Sequence, residues 1–180
     1  MRTLIIDKVD LREKFERLAN DFAHIKSLIQ SQGIYTALLA LGTDRIDADD
    51  ASVWLLNSAE ECLEVVLDRR PERQAFVGFK QPTNRGIVSM VAWNEHGIAL
   101  SNVSEHEMFD DTADKTFRYT TRTMIALPLT VNGRVVGVLS AVNRRVGDQF
   151  TDDDMNNMAI IASSMGHALR SQLLEKLVQM

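Results

Sequence analysis

The sequence predicts an α+β domain in which a central sheet is covered on both faces and helices lie at both ends of the chain. The first observation is residues 122–151, where two apolar runs flank Asn132-Gly133. Asn-Gly is typical of a type I′ hairpin turn, because both central positions of that turn need positive φ. The second observation is that both faces of this hairpin are apolar, which is typical of central strands buried on both sides. The third is a helix start at residues 150–155.

The two-residue loop also predicts the register of the hairpin. It places Leu127 opposite Val138 and Ile125 opposite Ser140, and a slip by one residue would exchange the two faces. One face then carries the bulkier residues, with Ser140 as its only polar member, and we expect it to face a core or a pocket. The other face carries small residues and suits close packing of a helix. Because Pro128 has no N–H group, pairing on the far side of its strand is expected to be interrupted there.

A long C-terminal helix is predicted from Thr151 onward. Thr151 can serve as the N-cap with Asp154 as the reciprocal acid of a capping box, and carboxylates favour the positive end of a helix. An apolar stripe follows along this helix: Met155, Met158, Ala162, Met165, Leu169, Leu173 and Leu177. The stripe provides a face for packing on the sheet or on a partner.

In the N-terminal region, the sequence pattern predicts a helix that is capped by Asp10. Its apolar residues recur at spacings of four and three: Leu11, Phe15, Leu18, Phe22, Ile25 and Ile29. Two interpretations stay open, a helix that lies on its own domain and a helix that mediates dimerisation. Gly33 marks a break before a second short helix.

In the middle of the chain, the sequence predicts short strands and one long polar connection. The expected strands are residues 51–57, 62–68, 75–79 and 98–102. Residues 86–93 begin with a glycine and predict a short buried helix. Residues 104–121 are polar and irregular, and a connection of this length is usually functional or contains a short helix.

The composition is ordinary for a globular protein, with 45% hydrophobic and 25% charged residues among 180. The net charge of −5 argues against a nucleic-acid or anionic-membrane partner. No apolar run approaches the roughly 20 residues that a bilayer span needs. The apolar stretch at the N-terminus is too short for the core of a signal peptide, so we expect a cytoplasmic protein.

The sequence offers no recognisable catalytic or metal-binding motif. His106-Glu107 begins like HExxH, but the motif ends in Asp110 on a segment that does not favour a helix. The glycine motifs of dinucleotide sites, P-loops and nucleophile elbows are absent. Cys62 is the only cysteine, which excludes an internal disulfide and an all-cysteine zinc site. We assign no catalytic residue and no metal ligand, and the sequence leaves any cofactor unknown.

Residues 69–85 form a locally basic loop, with five basic residues and one acid in an acidic chain. Such a loop can meet an anion. Charge runs are more often solvated surface, however, and solvated surface is the interpretation we favour.

Four segments between residues 86 and 169 carry a resemblance to a known family: GIVSMVAWNEHGIALSN, FRYTTRTMIALPL, NGRVVGVLSAVNR and FTDDDMNNMAIIASSMGHAL. Together they resemble a GAF domain. The resemblance implies an α+β two-layer fold with a central, mainly antiparallel sheet of five or six strands. The N- and C-terminal helices would pack on one face of the sheet. A ligand pocket would lie on the other face, under a roof formed by residues 86–121.

The resemblance also implies a set of ligand-binding residues, which lie in the roof and in the hairpin: Ile87, Val88, Phe109, Asp114, Thr121, Ile125, Leu127 and Ser140. Ile87 and Val88 would offer backbone groups, and Phe109 a stacking surface. Asp114 and Thr121 would offer hydrogen bonds to the ligand.

GAF domains that bind cyclic nucleotides resemble one another in an Asn-Lys…Phe…Asp-Glu pattern. The corresponding residues here are Asn143-Arg144, Phe150 and Asp154-Met155. We expect the two exchanges to break the ion pair of that pattern. In those relatives an acid stands beside the purine where this chain has Ser140. We therefore expect cyclic AMP and cyclic GMP to bind weakly or not at all.

Other GAF subfamilies carry out thiol chemistry, attach bilin or bind haem, and the residues of this sequence do not favour any of these. The free methionine-R-sulfoxide reductase uses several cysteines, which Cys62 alone cannot replace. Covalent bilin attachment needs a cysteine within residues 86–121, where none occurs. His96 or His106 could serve as an axial haem ligand, although a solvated loop histidine is the commoner case.

The leading hypothesis is a non-enzymatic sensory or regulatory GAF domain at residues 33–169, with helical extensions at 1–32 and 170–180. It would bind an unidentified small molecule, form a homodimer through its terminal helices and pass a signal to an output protein. One alternative is a GAF-fold interaction module whose pocket is filled by its own side chains. A less favoured alternative is an enzyme that uses the acids and histidines of the roof.

Overall fold

The computed structural model describes residues 8–180, and its centre is one six-stranded sheet. The strands are β1 (Ala48–Asn57), β2 (Cys62–Asp68), β3 (Lys80–Pro82), β4 (Ile98–Leu100), β5 (Met124–Val131) and β6 (Arg134–Arg144). They lie in the order β3-β2-β1-β6-β5-β4, and every neighbouring pair is antiparallel. The predicted α+β fold is confirmed, with the hairpin β5–β6 inside the sheet.

Helices cover both faces of this sheet. They are α1 (Lys8–Ala19), α2 (Phe22–Ser31), α3 (Gly33–Arg45), α4 (Ile87–Asn94), α5 (Thr112–Phe117) and α6 (Asp152–Gln179), with 3-10 turns at Pro71–Phe76 and Val103–Glu105. The larger apolar core lies between one sheet face and α1, α2, α3 and α6. The smaller core lies on the other face, under α4, α5 and the turn Pro71–Phe76. None of the helices in the described part of the chain is long and apolar enough to cross a membrane.

The start of α6 follows the prediction from its capping residues. The Thr151 side chain accepts a hydrogen bond from Asp154 N at 3.1 Å, and Asp154 Oδ2 accepts one from Thr151 N at 2.8 Å. This reciprocal pair is a capping box, and it satisfies two backbone donors at the helix end. Farther along, the predicted stripe of α6 lies in the larger core, where Met158, Met165 and Leu169 are fully buried.

The hairpin turn is confirmed, but its predicted register is wrong beyond the first two pairs. Asn132 and Gly133 have φ of 50° and 75°, as a type I′ turn requires. A bulge then inserts one extra residue into β6, so that Leu129 lies opposite Gly137 and Leu127 opposite Leu139. A bulge of this kind cannot be read from a hydrophobic pattern, because both strands are apolar on both faces.

The bulge changes which residues face the roof. Ile125 and Leu127 lie in the larger core under the helices, not on the pocket side where they were predicted. Ala126 and Val138 lie in the smaller core instead. Ser140 stays on the pocket side, because it pairs with Ala126 after the shift.

Pro128 marks the end of pairing along the outer edge of β5, as predicted. The neighbouring strand β4 pairs with β5 only from Met124 to Ala126. The missing N–H group of Pro128 therefore falls where no ladder bond is needed.

The N-terminal helices differ from the prediction in two respects. Asp10 lies inside α1 and does not cap it, since the helix already includes Lys8. The apolar series from Leu11 to Ile29, which we call the seam, does not lie on one helix, because Asp21 caps a separate α2 and accepts a hydrogen bond from His24 N. Most of the seam packs on the chain's own core, which fits the interpretation of helices lying on their own domain.

Two further segments differ from the prediction. Residues 75–79 do not form a strand. The turn Pro71–Phe76 is a 3-10 helix, and the third strand begins at Lys80. Residues 104–121 are not wholly irregular, because they contain α5.

Candidate functional site

A small cavity lies between the pocket-side face of the sheet and the roof. Its free volume is about 60 Å³, which is enough for a few water molecules and well below the roughly 300 to 1,000 Å³ of typical small-molecule sites. The sheet contributes Ala51, Ser52, Trp54, Met124, Ser140 and Val142 to its lining. The roof and the neighbouring loops contribute Arg73, Phe76, Gln81, Ile87, Val88, Phe109, Asp110, Ala113, Asp114, Tyr119 and Thr121.

Six of the eight residues predicted for the site line this cavity: Ile87, Val88, Phe109, Asp114, Thr121 and Ser140. Ile87 and Val88 open α4, which follows Gly86. Gly86 has a φ of 88°, and the amide of Gln81 occupies the space where a Cβ at this position would be. A glycine is therefore needed at this end of the roof.

The floor of the cavity is fixed by one side-chain pair. Trp54 Nε1 donates a hydrogen bond to Ser140 Oγ at 3.0 Å, and both side chains are buried. The two residues lie on adjacent strands, where Ser52 pairs with Ser140 and Trp54 with Val138. The lone hydroxyl predicted for this face is thus present, and it already has a protein partner.

Asp114 and Thr121 form hydrogen bonds with each other, so their polar groups already have partners within the protein. Asp114 Oδ2 accepts from Thr121 N at 2.7 Å, and Asp114 Oδ1 accepts from Thr121 Oγ1 at 2.7 Å. These two bonds tie α5 to the segment that leads into β5. Removing either side chain is therefore expected to lower stability even without a ligand, contrary to what a purely ligand-contacting role would give.

Aromatic side chains occupy much of the space under the roof. Trp54, Phe76, Phe79 and Phe117, which we call the aromatic cluster, contact one another with ring centroids 5.2 to 6.1 Å apart. Most of these contacts are edge-to-face, the arrangement that ring quadrupoles favour. The small size of the cavity follows from this filling.

Arg73 reaches into the same space from the turn Pro71–Phe76. Its guanidinium lies over the Phe76 ring at 4.6 Å and over the Tyr119 ring at 4.5 Å. Its Nη1 donates to Asp50 Oδ2 at 2.5 Å, and the Asp50 side chain is fully buried. The interpretation of residues 69–85 as solvated surface is therefore wrong for Arg73, because two rings and a buried carboxylate hold its cationic group.

Asp50 has a second carboxyl group beside it. Asp50 and Asp68 lie on the adjacent strands β1 and β2, and Asp68 accepts hydrogen bonds from Ser52 Oγ at 2.8 Å and Arg70 N at 3.0 Å. Burial, together with the nearby charge of Asp68, raises the pKa of Asp50 to about 7, and burial also raises the pKa of Asp68. The two carboxyl groups therefore bind a proton more tightly than isolated aspartates do.

Asn143 holds the end of the roof against the sheet. Its Oδ1 accepts from the backbone N–H groups of Arg122 and Thr123, and its Nδ2 donates to Thr120 O and to the Tyr119 hydroxyl. Its φ of 55° is one that asparagine adopts more readily than most residues. The Tyr119 hydroxyl in turn donates to Asp49 at 2.6 Å. This network positions the ring that covers Arg73.

The most informative lining residues were not predicted. Ser52 and Trp54 alternate with buried apolar residues along β1, a pattern that marks a strand but not a site. Arg73 was one of five cations in a basic loop, and nothing in its spacing distinguishes it from the others. Phe76 follows Arg73 by only three residues, but Tyr119 and Asp50 come from distant parts of the chain, so only the fold completes the surroundings of Arg73.

Comparison with known proteins decides the family of this chain. The family model described as "GAF domain" matches residues 32–169. The chain belongs to the GAF domain family. GAF domains are typically regulatory, and the family occurs in phosphodiesterases, kinases and other proteins.

The individual relatives of this GAF domain are proteins of several kinds. It is 27% identical over 160 residues to a probable 3′,5′-cyclic phosphodiesterase, pde-5, of Caenorhabditis elegans, covering 83% of this chain and 22% of that protein. This GAF domain therefore spans about one fifth of that curated relative. The GAF domain of a phosphoenolpyruvate-protein phosphotransferase (ptsP) from Coxiella burnetii has a TM-score of 0.68 at 12% identity, covering 93% of this chain and 95% of that one.

A solved enzyme shares the fold as well. The free methionine-R-sulfoxide reductase of Neisseria meningitidis has a TM-score of 0.61 at 17% identity, covering 88% of this chain and 90% of that one. At this identity the likeness concerns the fold alone. In this GAF domain Cys62 is buried on β2 and does not line the cavity, and burial raises the pKa of its thiol. His96 and His106 do not line the cavity either.

The ion pair expected to be broken in this GAF domain is present. Arg144 Nε lies 3.0 Å from Asp154 Oδ2, and the Asp154 side chain is 8% exposed. An arginine therefore makes this contact where cyclic-nucleotide-binding relatives carry a lysine, and the exchange of glutamate for Met155 does not prevent it. Ser140 and the small size of the cavity are the features that still differ from what a cyclic nucleotide would need.

Proposed function

We propose that this chain is a non-enzymatic regulatory GAF domain that binds a small molecule in the cavity beneath α4 and α5. The observation that carries the proposal is the position of Arg73. Arg73 lines a cavity whose walls combine apolar and polar side chains, and its charged group, at 15% side-chain exposure, lies against two aromatic rings. Ligand sites combine apolar walls with a few fixed polar groups in this way. Ile87, Val88, Phe109, Asp114, Thr121 and Ser140 are the proposed contacts around it.

A cyclic nucleotide is not the proposed ligand. A purine, a ribose and a phosphate do not fit a space of about 60 Å³. Ser140, which stands where relatives carry an acid, already accepts a hydrogen bond from Trp54. The names of the curated relatives describe whole phosphodiesterases, of which this GAF domain corresponds to a fraction.

The second candidate function is an interaction module with a self-filled pocket. The aromatic cluster favours it, because its four rings pack together beneath the roof and two of them, Trp54 and Phe76, line the cavity. In that case the roof is a fixed surface for a protein partner, and no metabolite stabilises the chain.

A thermal-shift screen against a metabolite library separates the two functions. A ligand present at 100 times its Kd adds roughly 2.7 kcal/mol of stability, which corresponds to several degrees for a domain of this size. Ala113→Phe is the matched control, because Ala113 lines the cavity and a larger side chain there fills it. A shift in the wild type that disappears in Ala113→Phe supports the sensory function. The absence of any shift supports the self-filled module.

We also propose that the chain forms a homodimer, through α3 and α6. These helices pack against each other where a Cβ at Gly42 would lie 3.0 Å from Ile161. Ile34, Leu41 and Ile160 remain 46%, 57% and 63% exposed on the same pair of helices. Large exposed apolar residues on neighbouring helices favour an interface. The dimer would carry a ligand signal to an attached output protein along α6.

A further inference from the structure

We propose that the cavity recognises a small anion of the organic-carboxylate class, and that binding of this anion is coupled to uptake of a proton by the Asp50–Asp68 pair. The proposal rests on the sensory function above and names its ligand class. It follows from which groups at the cavity already have partners and which do not.

The cavity offers hydrogen-bond donors that the protein leaves unused. Arg73 carries five N–H donors, and within residues 8–180 its one hydrogen bond goes to Asp50. The Ser140 hydroxyl accepts from Trp54, and among the same residues its own proton has no acceptor. An incoming acceptor with negative charge satisfies both groups, and a carboxylate matches the planar fork of a guanidinium.

The acids that line the cavity are already neutralised or hydrogen-bonded. Asp110 pairs with Arg85 Nε at 2.8 Å and accepts from Thr112 N at 2.9 Å. Both oxygens of Asp114 accept from Thr121. Each oxygen of these two carboxylates therefore already accepts from a protein donor, whereas Arg73 and Ser140 keep unused donors, and this difference favours an anion in the cavity.

The size of the site limits the ligand to a short chain. A cavity of about 60 Å³ accommodates a carboxylate with a few carbon atoms. Its apolar part would lie against apolar lining residues such as Ile87, Val88 and Met124. Larger carboxylates would require the roof to move outward.

Proton uptake follows from the charges around Arg73. Asp50 and Asp68 face Arg73 from β1 and β2. Asp68 also accepts a hydrogen bond from the backbone N–H of Arg70. Nearby, Asp49 accepts hydrogen bonds from Tyr119 and from the side chain of Arg70. With one proton on the carboxyl pair, Arg73 balances the remaining negative charge. A bound anion adds negative charge on the other side of the guanidinium, so it strengthens proton binding by the pair. By linkage, the anion binds more weakly as the pH rises and that proton is lost.

The test compares a carboxylate with its uncharged isostere. Millimolar propionate and propionamide are added to the full chain, and melting is followed at about pH 6 and about pH 8. We expect propionate to stabilise the chain and propionamide not to do so. We also expect the apparent affinity for propionate to fall by up to about tenfold between the two pH values.

Variants assign the effect to the named residues. Arg73→Met should abolish the response to propionate, and Arg73→Lys should weaken it while keeping the charge. Asp50→Asn should retain binding and remove its pH dependence, because the amide cannot ionise. Binding that responds equally to propionamide, or that is unchanged in Arg73→Met, would overturn the proposal.

The same experiment distinguishes failure of this inference from failure of the sensory function. A metabolite that stabilises the chain while propionate, acetate and butyrate do not would overturn the anion class and leave the sensory function standing. No response to the carboxylates or to the library would overturn both.

Discussion

Arg73 donates to Asp50 across 2.5 Å, and this contact places a cation at the boundary between a buried acid pair and a cavity. The contact joins the turn Pro71–Phe76 to β1, and the guanidinium of Arg73 also lies over the ring of Tyr119, 4.5 Å from its centroid. The position of this turn and the chemistry of the cavity therefore depend on the same two side chains.

The first prediction concerns the pH dependence of stability. Burial raises the pKa of Asp50 from 3.8 to about 7, so the folded chain holds a proton that the unfolded chain releases above about pH 4. This contribution is fully present below the unfolded pKa and is lost as the pH rises through the folded value. We expect the free energy of unfolding to fall by about 1 kcal/mol between pH 6 and pH 8. Urea titrations across this range measure it.

Asp50→Asn is the informative variant for this prediction, and Asp153→Asn is its control. Asp153 is exposed in the first turn of α6. The pH slope should flatten in Asp50→Asn and persist in Asp153→Asn. An unchanged slope in Asp50→Asn would assign the titration to another group.

The second prediction concerns the Arg144–Asp154 pair. Its members are 24% and 8% exposed, whereas those of the pair between Lys115 and Asp111 are 75% and 52% exposed. Because screening by water weakens exposed pairs, a double-mutant cycle to alanine should give a coupling above about 0.5 kcal/mol for the first pair and less for the second. Equal couplings would mean that Asp154 acts only as a helix cap.

The third prediction concerns the sheet register beneath the cavity. A Cβ at Gly137 would lie 2.0 Å from the carbonyl oxygen of Trp54, and a backbone atom in a central strand cannot move aside cheaply. We expect Gly137→Ala to cost about 1 to 3 kcal/mol, as overpacking does. Gly33→Ala is the matched control, because no atom lies within 4 Å of a Cβ at that position. Thermal melts of both variants test the pairing that brings Trp54 and Ser140 together.

The fourth prediction concerns the proposed homodimer. Leu41→Glu with Ile160→Glu should convert a dimer to a monomer in light scattering at micromolar concentration, with little change in the melting temperature of the monomer. Leu18→Glu with Phe22→Glu should instead destabilise the chain, because both residues pack against the larger core. A monomer mass for the wild-type protein would contradict the proposed homodimer.

Local chemistry explains which parts of the fold were predictable from sequence. The turn at Asn132-Gly133 and the capping box at Thr151 each depend on residues close together in the chain, and both formed as predicted. The interruption of pairing at Pro128 was predictable for the same reason. The bulge in β6 was not, because it depends on packing against both neighbouring strands. Ile125 and Leu127 were assigned to the wrong face as a result.

The candidate site was predictable only in part, for a related reason. The GAF resemblance indicated the roof, and six of the eight predicted residues do line the cavity. The resemblance carried no information about Arg73, since its role depends on Asp50 and Tyr119, which are distant in the chain and meet Arg73 only in the fold. Nor could the sequence show that Asp114 and Thr121 bond to each other.

Trp54 fluorescence tests the central claim, that a small molecule binds in this cavity, most directly. The chain has two tryptophans, and Trp93 is 72% exposed and lies outside the cavity lining, so Trp93→Phe leaves Trp54 as the reporter on the cavity floor. Compounds that stabilise the chain are titrated into Trp93→Phe and into the same variant with Ala113→Phe. We predict a saturable change of Trp54 emission in the first and none in the second. Stabilising compounds that leave Trp54 emission unchanged, or that change it equally in both, would contradict binding in this cavity.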